Sequence, residues 1–142
     1  MSTPRVLVAD DDRSIRQLLS RIVEREGFEV DTAADGQEAI RNLQEREYAV
    51  VLLDLMMPRV NGFEVVRYLK ENPPKAKPVV LVISAYTDQR FRDVDPDIVA
   101  GVIRKPFEVS DLASLVRLCV TGFEEHVLQS TGDSWNDERL PN

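Results

Sequence analysis

The sequence predicts an α/β protein built on a doubly wound, five-stranded parallel sheet, and three observations predict it. Strand-like runs recur at Val6–Ala9, Glu29–Ala33, Ala49–Leu53, Val79–Ile83 and Ala100–Ile103, with helical patterns or turn residues between them. The run Ala49-Val50-Val51-Leu52-Leu53 is apolar without interruption, the pattern of a strand covered on both faces, as in parallel sheets. At 142 residues the chain can bury one core and is too short for two.

The first strand runs into Asp10-Asp11, and Asp12 is expected to open the next helix rather than face the sheet edge. That helix is the clearest in the chain: Ile15, Leu18, Leu19, Ile22 and Val23 share one face, Arg16, Arg21, Glu24 and Arg25 the other, and Gly27 ends it. The second helix begins at Asp35-Gly36-Gln37-Glu38, where an acid followed three residues later by Glu resembles a capping box, and it buries Ala39, Ile40 and Leu43. The third strand ends at Asp54. Asn61-Gly62 opens a third helix with Phe63, Val66 and Leu69 inward, and Asn72-Pro73-Pro74 stops it. After the fourth strand comes Ser84.

Between Thr87 and Ala100 the apolar positions are few and Pro96 forbids a continuous helix, so the fourth helix is expected to be short or irregular, one or two turns at most. The last helix starts at Ser110-Asp111 and buries Leu112, Leu115, Val116 and Cys119. The tail, residues 122–142, carries Ser130-Thr131-Gly132-Asp133-Ser134 and is expected to be partly disordered.

Twenty-five acidic against 18 basic residues leave a net charge of -7. That balance argues against binding nucleic acid or an anionic membrane through bulk electrostatics, and points to a protein or a cation as partner. The single cysteine, Cys119, has no internal disulfide partner and reads as a small core residue. No apolar stretch approaches the ~20 residues needed to cross a bilayer, and Met1-Ser2-Thr3-Pro4-Arg5 has no signal-type apolar region. A cytoplasmic location is expected.

In a doubly wound sheet, strands one and three end side by side at the point where the strand order reverses. Asp10, Asp11 and Asp54 should therefore converge on one pocket. Carboxylates crowded in that way repel unless a cation sits among them, and hard oxygen donors in an incomplete set suit Mg²⁺, which keeps waters and adds a phosphate. Lys105, following the fifth strand and pinned by Pro106, would bring a positive charge to the same edge and stabilise charge on a transferring phosphoryl group. Ser84 could donate its hydroxyl to one phosphoryl oxygen, and the Asp54 carboxylate could attack phosphorus to form an acyl phosphate. His126, the only histidine, stands in the tail, away from this edge. The chain has no GxxxxGK[ST] loop, CxxC pair, HExxH or GxSxG, so nucleotide hydrolysis, zinc chemistry and serine hydrolysis have no foothold.

Asp10-Asp11 after a strand, Asp54-Leu55-Met56-Met57-Pro58 with Asn61-Gly62, Ser84-Ala85 and Lys105-Pro106-Phe107 together resemble the receiver domain of two-component response regulators, including the chemotaxis regulators, over residues 4–121. The resemblance implies a flavodoxin-like (βα)5 fold. It further implies that Asp54 accepts a phosphoryl group from a sensor histidine kinase or a phosphotransfer protein, that Asp10, Asp11, Asp54 and the Met56 backbone carbonyl hold Mg²⁺, and that Ser84 and Lys105 contact the phosphate.

Such a domain catalyses only its own phosphorylation and dephosphorylation and regulates a downstream protein. Direct nucleic-acid or membrane binding is not expected, and a homodimer is left open. With no output domain following, the chain resembles a stand-alone receiver or one cut from a longer protein. Met56 and Tyr86, two residues beyond Asp54 and Ser84, stand where receiver-like proteins set the lifetime of the phosphorylated state. Their bulk should hinder water and prolong it.

Two departures bear on output. The switch aromatic that the family usually carries three residues before the lysine is Val102 here, and the fourth helix is eroded. They leave room for an alternative, a phosphorylation-independent adaptor with a receiver fold. A phosphatase resembling the haloacid dehalogenase group would need a second Asp two residues after the nucleophile, where this chain has Met56.

Overall fold

The computed structural model describes residues 3–85 and 93–139, with 126–139 described as helical backbone alone. Five strands, β1 (Arg5–Ala9), β2 (Glu29–Ala33), β3 (Val50–Asp54), β4 (Val79–Ala85) and β5 (Val99–Lys105), form one sheet in the order β2-β1-β3-β4-β5. All neighbours are parallel, with Ala9 opposite both Ala33 and Leu53, Asp54 opposite Ile83, and Ala85 opposite Lys105. Because β1 lies between β2 and β3, successive crossovers leave it in opposite directions, and the order reverses there.

Helices α1 (Arg13–Arg25), α2 (Gly36–Glu45), α3 (Gly62–Glu71) and α4 (Val109–Arg139) cover both faces. Strand periodicity divides the core accordingly. Leu7, Val51, Leu53, Val80 and Val82 pack with Ala39, Val65, Val66 and Leu69 of α2 and α3. Val6, Val8, Val50, Leu52, Leu81 and Ile83 pack with Leu19, Ile22, Val23, Leu112, Val116 and Val120 of α1 and α4. A strand that must be apolar at every position is thus the consequence of two helical layers.

Local chemistry sets the helix ends. Asp12 accepts from the Ser14 and Ile15 amides at 2.8 and 3.2 Å and caps α1, as expected. Gly27, at φ 90, closes the helix, its N–H donating to the Glu24 carbonyl and that of Phe28 to Val23. Asp35 accepts from the Glu38 amide, and the Glu38 carboxylate accepts from the Ala34 amide, so the expected capping box forms with its return bond one residue earlier.

Several details differ from expectation. Leu18 is 38% exposed, although it lies at helical spacing with the buried face of α1, because that face narrows to Leu19, Ile22 and Val23 where the sheet is met. In α3, Val65 is fully buried beside the expected Val66 and Leu69, while Phe63 is only partly covered. Helix α4 runs from Val109 through Gly122 to Arg139. A single glycine costs an α-helix only about 1 kcal/mol relative to alanine and does not by itself end it. Residues 86–92, the heart of the expected fourth helix, lie outside the described residues, and 93–98 form turns without an α-helix. Cys119 is half-buried against the α1–α4 side of the core rather than inside it, and burial raises its thiol pKa.

Candidate functional site

The C-terminal edge of the sheet gathers the acids. Asp10 follows β1, and its N–H donates to the Ala33 carbonyl at 3.0 Å, extending the strand pairing by one residue. Its side chain is fully buried. Oδ1 accepts from the Asp12 amide at 2.9 Å, Oδ2 faces Lys105 Nζ at 3.4 Å, and its backbone carbonyl accepts from the Arg16 guanidinium at 2.9 Å. Asp54 is the last residue of β3 and 6% exposed, and its Oδ1 accepts from the Met56 amide at 3.1 Å. Asp11 is exposed beside them. One carboxylate oxygen from each of Asp10, Asp11 and Asp54 lies within 4.8 Å of the others.

Burial and the nearby charge of Asp10 push the Asp54 carboxyl up to about 7. Burial also raises Asp10, against the opposing pull of the Asp12 amide and Lys105. Among the described residues, the two buried carboxylates and the exposed one meet the Lys105 ammonium, with the Arg16 guanidinium on the Asp10 carbonyl, so negative charge is in excess. That excess, with hard oxygen donors that fill only part of a coordination sphere, fits Mg²⁺.

Lys105 is the last residue of β5 rather than one beyond it, and its peptide to Pro106 is cis. Ser84 lies within β4, 2% exposed, one residue past the Asp54–Ile83 pairing, and its hydroxyl donates to the Ala85 carbonyl at 3.2 Å. The structure therefore unites Asp10, Asp11 and Asp54 directly and Lys105 through Asp10. It sets Ser84 on the same edge with its hydroxyl turned to the backbone. The Met56 side chain is 49% exposed at the start of the loop after β3. Tyr86 lies outside the described residues, as does the His126 side chain.

Two supporting groups escape a reading of sequence alone. Arg16, assigned to the solvent face of α1, reaches back to the Asp10 carbonyl. Gly62 does more than start α3. Its N–H donates to the Leu55 carbonyl at 2.9 Å, and a Cβ there would lie 2.5 Å from the Asp54 carbonyl oxygen. The Asn61-Gly62 pair carried the signal, but only as a helix start.

The family profile described as the response regulator receiver domain matches residues 6–117. Among curated relatives, the uncharacterized transcriptional regulatory protein YcbL of Bacillus subtilis is 34% identical over 119 residues, covering 80% of this chain and 50% of that protein. The transcriptional regulatory protein ResD of the same organism is 44% identical over 78 residues, 55% of this chain and 32% of ResD. The chain thus spans half the length of one and about a third of the other.

Among solved structures, a CheY-like response regulator receiver domain protein from Methanospirillum hungatei superposes with a TM-score of 0.78 at 24% identity, covering 88% of this chain and 99% of that one. The response regulator TrrA of Thermotoga maritima, solved in complex with Mg²⁺–BeF, gives a TM-score of 0.72 at 30% identity, covering 82% and 98%. No described helix is long and apolar enough to cross a membrane. With the profile spanning most of the chain and the acids gathered where β1 and β3 end, this chain belongs to the response regulator receiver domain family.

Proposed function

We propose that residues 4–121 form a signalling receiver that takes a phosphoryl group on Asp54 from the phosphohistidine of a sensor kinase or phosphotransfer protein, and that it then regulates a downstream protein. The observation that carries this reading is the trio of carboxylate oxygens within 4.8 Å at the sheet edge, with Lys105 on Asp10. An Asp54 oxygen attacks phosphorus, the new O–P bond forms as the P–N bond breaks, and the electron pair leaves on the imidazole nitrogen. Asp10, Asp11, Asp54 and the Met56 carbonyl would hold Mg²⁺, which when bound neutralises the acids and the phosphoryl oxygens. The Met56 amide orients Asp54. Lys105 then exchanges Asp10 for a phosphoryl oxygen, and the Ser84 hydroxyl turns from the Ala85 carbonyl to another.

Incubation with acetyl phosphate and Mg²⁺ should add the mass of one phosphoryl group. No gain in mass under these conditions would favour the adaptor reading instead. Asp11→Ala should fold normally, bind Mg²⁺ more weakly and phosphorylate more slowly, because an exposed acid has been removed from a crowded cluster. Unfolding at neutral pH would assign Asp11 a structural role. Lys105→Ala should retain most Mg²⁺ affinity yet lose the conformational response to phosphorylation, read as the shift in amide spectra on adding beryllofluoride. A full response in that variant would remove Lys105 from the site.

Val102 is partly buried against the α2–α3 side of the core. It offers no ring to swing between buried and exposed positions, so coupling runs through Ser84 and the segment after it. Ser84→Ala should therefore reduce the same spectral response more than Val102→Ala does. Equal losses would contradict that route.

A further inference from the structure

The loop of residues 55–61 leaves β3 at Asp54 and is gripped from α2, a helix distant in sequence. Asp35 uses its two carboxylate oxygens separately. Oδ1 accepts from the Glu38 amide at 2.8 Å and caps α2, whereas Oδ2 accepts from the Arg59 guanidinium at 3.2 Å. The acid is 14% exposed and the arginine 71%. At the next residue the backbone closes in, for a Cβ on Gly36 would lie 1.9 Å from the Val60 carbonyl oxygen. The first turn of α2 therefore holds adjoining loop residues, Arg59 by charge and Val60 by close packing.

Arg59 has φ 66, in the left-handed region, which residues bearing a Cβ enter at a cost in free energy. Glycine or asparagine would make that turn more easily. An arginine there is explained by what its guanidinium holds, a carboxylate that already caps a helix. At the other end of the loop, the Met56 amide is bonded to Asp54 Oδ1 and Leu55 is fully buried, so the loop is held at both ends, by α2 and by the end of β3.

We propose that the Asp35–Arg59 ion pair is a latch that positions the 55–61 loop, and with it the Met56 backbone, for the cation and phosphoryl group at Asp54. Asp35 and Arg59 are positioning residues, and the inference rests on Asp54 being the phosphoacceptor.

Asp35→Asn and Arg59→Asn test the latch in the full chain. Asparagine caps a helix about as well as aspartate and tolerates the left-handed region, so each variant removes a charge while meeting the backbone requirement. Mg²⁺ affinity is measured by calorimetry, phosphorylation by acetyl phosphate at Mg²⁺ below and above its Kd, and exchange of the Met56 amide by NMR in metal-free protein.

Each single variant should raise the Mg²⁺ Kd about two- to fivefold, the range expected for a partly exposed pair. Phosphorylation should slow by a similar factor below saturation and recover at saturating Mg²⁺, and the Met56 amide should exchange faster. The double variant should be no worse than either single one, and Arg59→Lys should restore most of the affinity. A general loss of stability would not confine the defect to low Mg²⁺.

Wild-type Kd values in both single variants, or wild-type exchange at Met56, would overturn the latch. A wild-type chain that takes no phosphoryl group would overturn the proposed function instead. The Met56 exchange rates would then still decide whether the ion pair holds the loop.

Discussion

Replacing Asp54 with asparagine should abolish covalent phosphorylation and, in metal-free protein above pH 7, stabilise the fold. The first effect follows because an amide is no nucleophile towards phosphorus. The second follows from the environment of Asp54. Burial and the charge of Asp10 raise its carboxyl from an ordinary value of 3.8 to about 7. In the unfolded chain the group ionises near pH 4, so between about pH 4 and pH 7 the folded state binds the proton more tightly.

Stability from this group is therefore fully present below pH 4 and is lost as pH rises towards 7. The neutral amide of the Asp54→Asn variant carries no such penalty at pH 8. A gain of up to about 4 kcal/mol there, shrinking towards pH 4, is the expected result by urea denaturation. Under the proposed function Mg²⁺ should stabilise the wild type more than the variant, since the cation would bind the ionised folded form. Phosphorylation persisting in the variant would move the acceptor to another residue. Equal stability across pH 4–8 would mean that Asp54 does not feel its burial.

Gly62→Ala should destabilise the protein by about 3 kcal/mol and slow phosphorylation. An added methyl would lie 2.5 Å from the Asp54 carbonyl oxygen and 2.6 Å from the Leu55 Cα. Both atoms are backbone, held by β3 and by the bond from the Gly62 N–H to the Leu55 carbonyl. Relief requires α3 to back away or the end of β3 to move, and overpacking of this kind typically costs 1–3 kcal/mol or somewhat more.

Gly122 provides the contrast. It sits inside α4, and a Cβ there meets nothing within 4 Å. Gly122→Ala should therefore stabilise the protein by about 0.5–1 kcal/mol through helix propensity. Denaturation curves of the two alanine variants give the comparison, and a neutral Gly62→Ala would show that α3 has room to adjust.

Much of the site was legible because it follows from periodicity. An uninterrupted apolar run such as Val50–Leu53, short and followed by an acid and a proline-containing turn, reads as a strand between two layers, and the acid that closes it stands at the sheet edge. The same reasoning put Asp10 and Lys105 at that edge, and the α1 cap at Asp12 follows from side-chain chemistry within three residues. Helix boundaries were less legible. The extension of α4 through Gly122 depends on an interior glycine costing a helix too little to end it. The exposure of Leu18 depends on how wide a stripe the sheet covers.

The strands, their two-sided burial and the gathering of Asp10, Asp11 and Asp54 were determined by the sequence itself, because side-chain direction in strands and helices repeats over a few residues. The tertiary structure alone decided the rest. That Asp54 is raised to about 7, that Arg16 holds the Asp10 carbonyl, that Gly36 and Gly62 lie beneath carbonyls of Val60 and Asp54, and that Arg59 meets Asp35 all require segments remote in sequence to touch. Burial, charge proximity and backbone approach depend on three-dimensional distance, which no local pattern encodes.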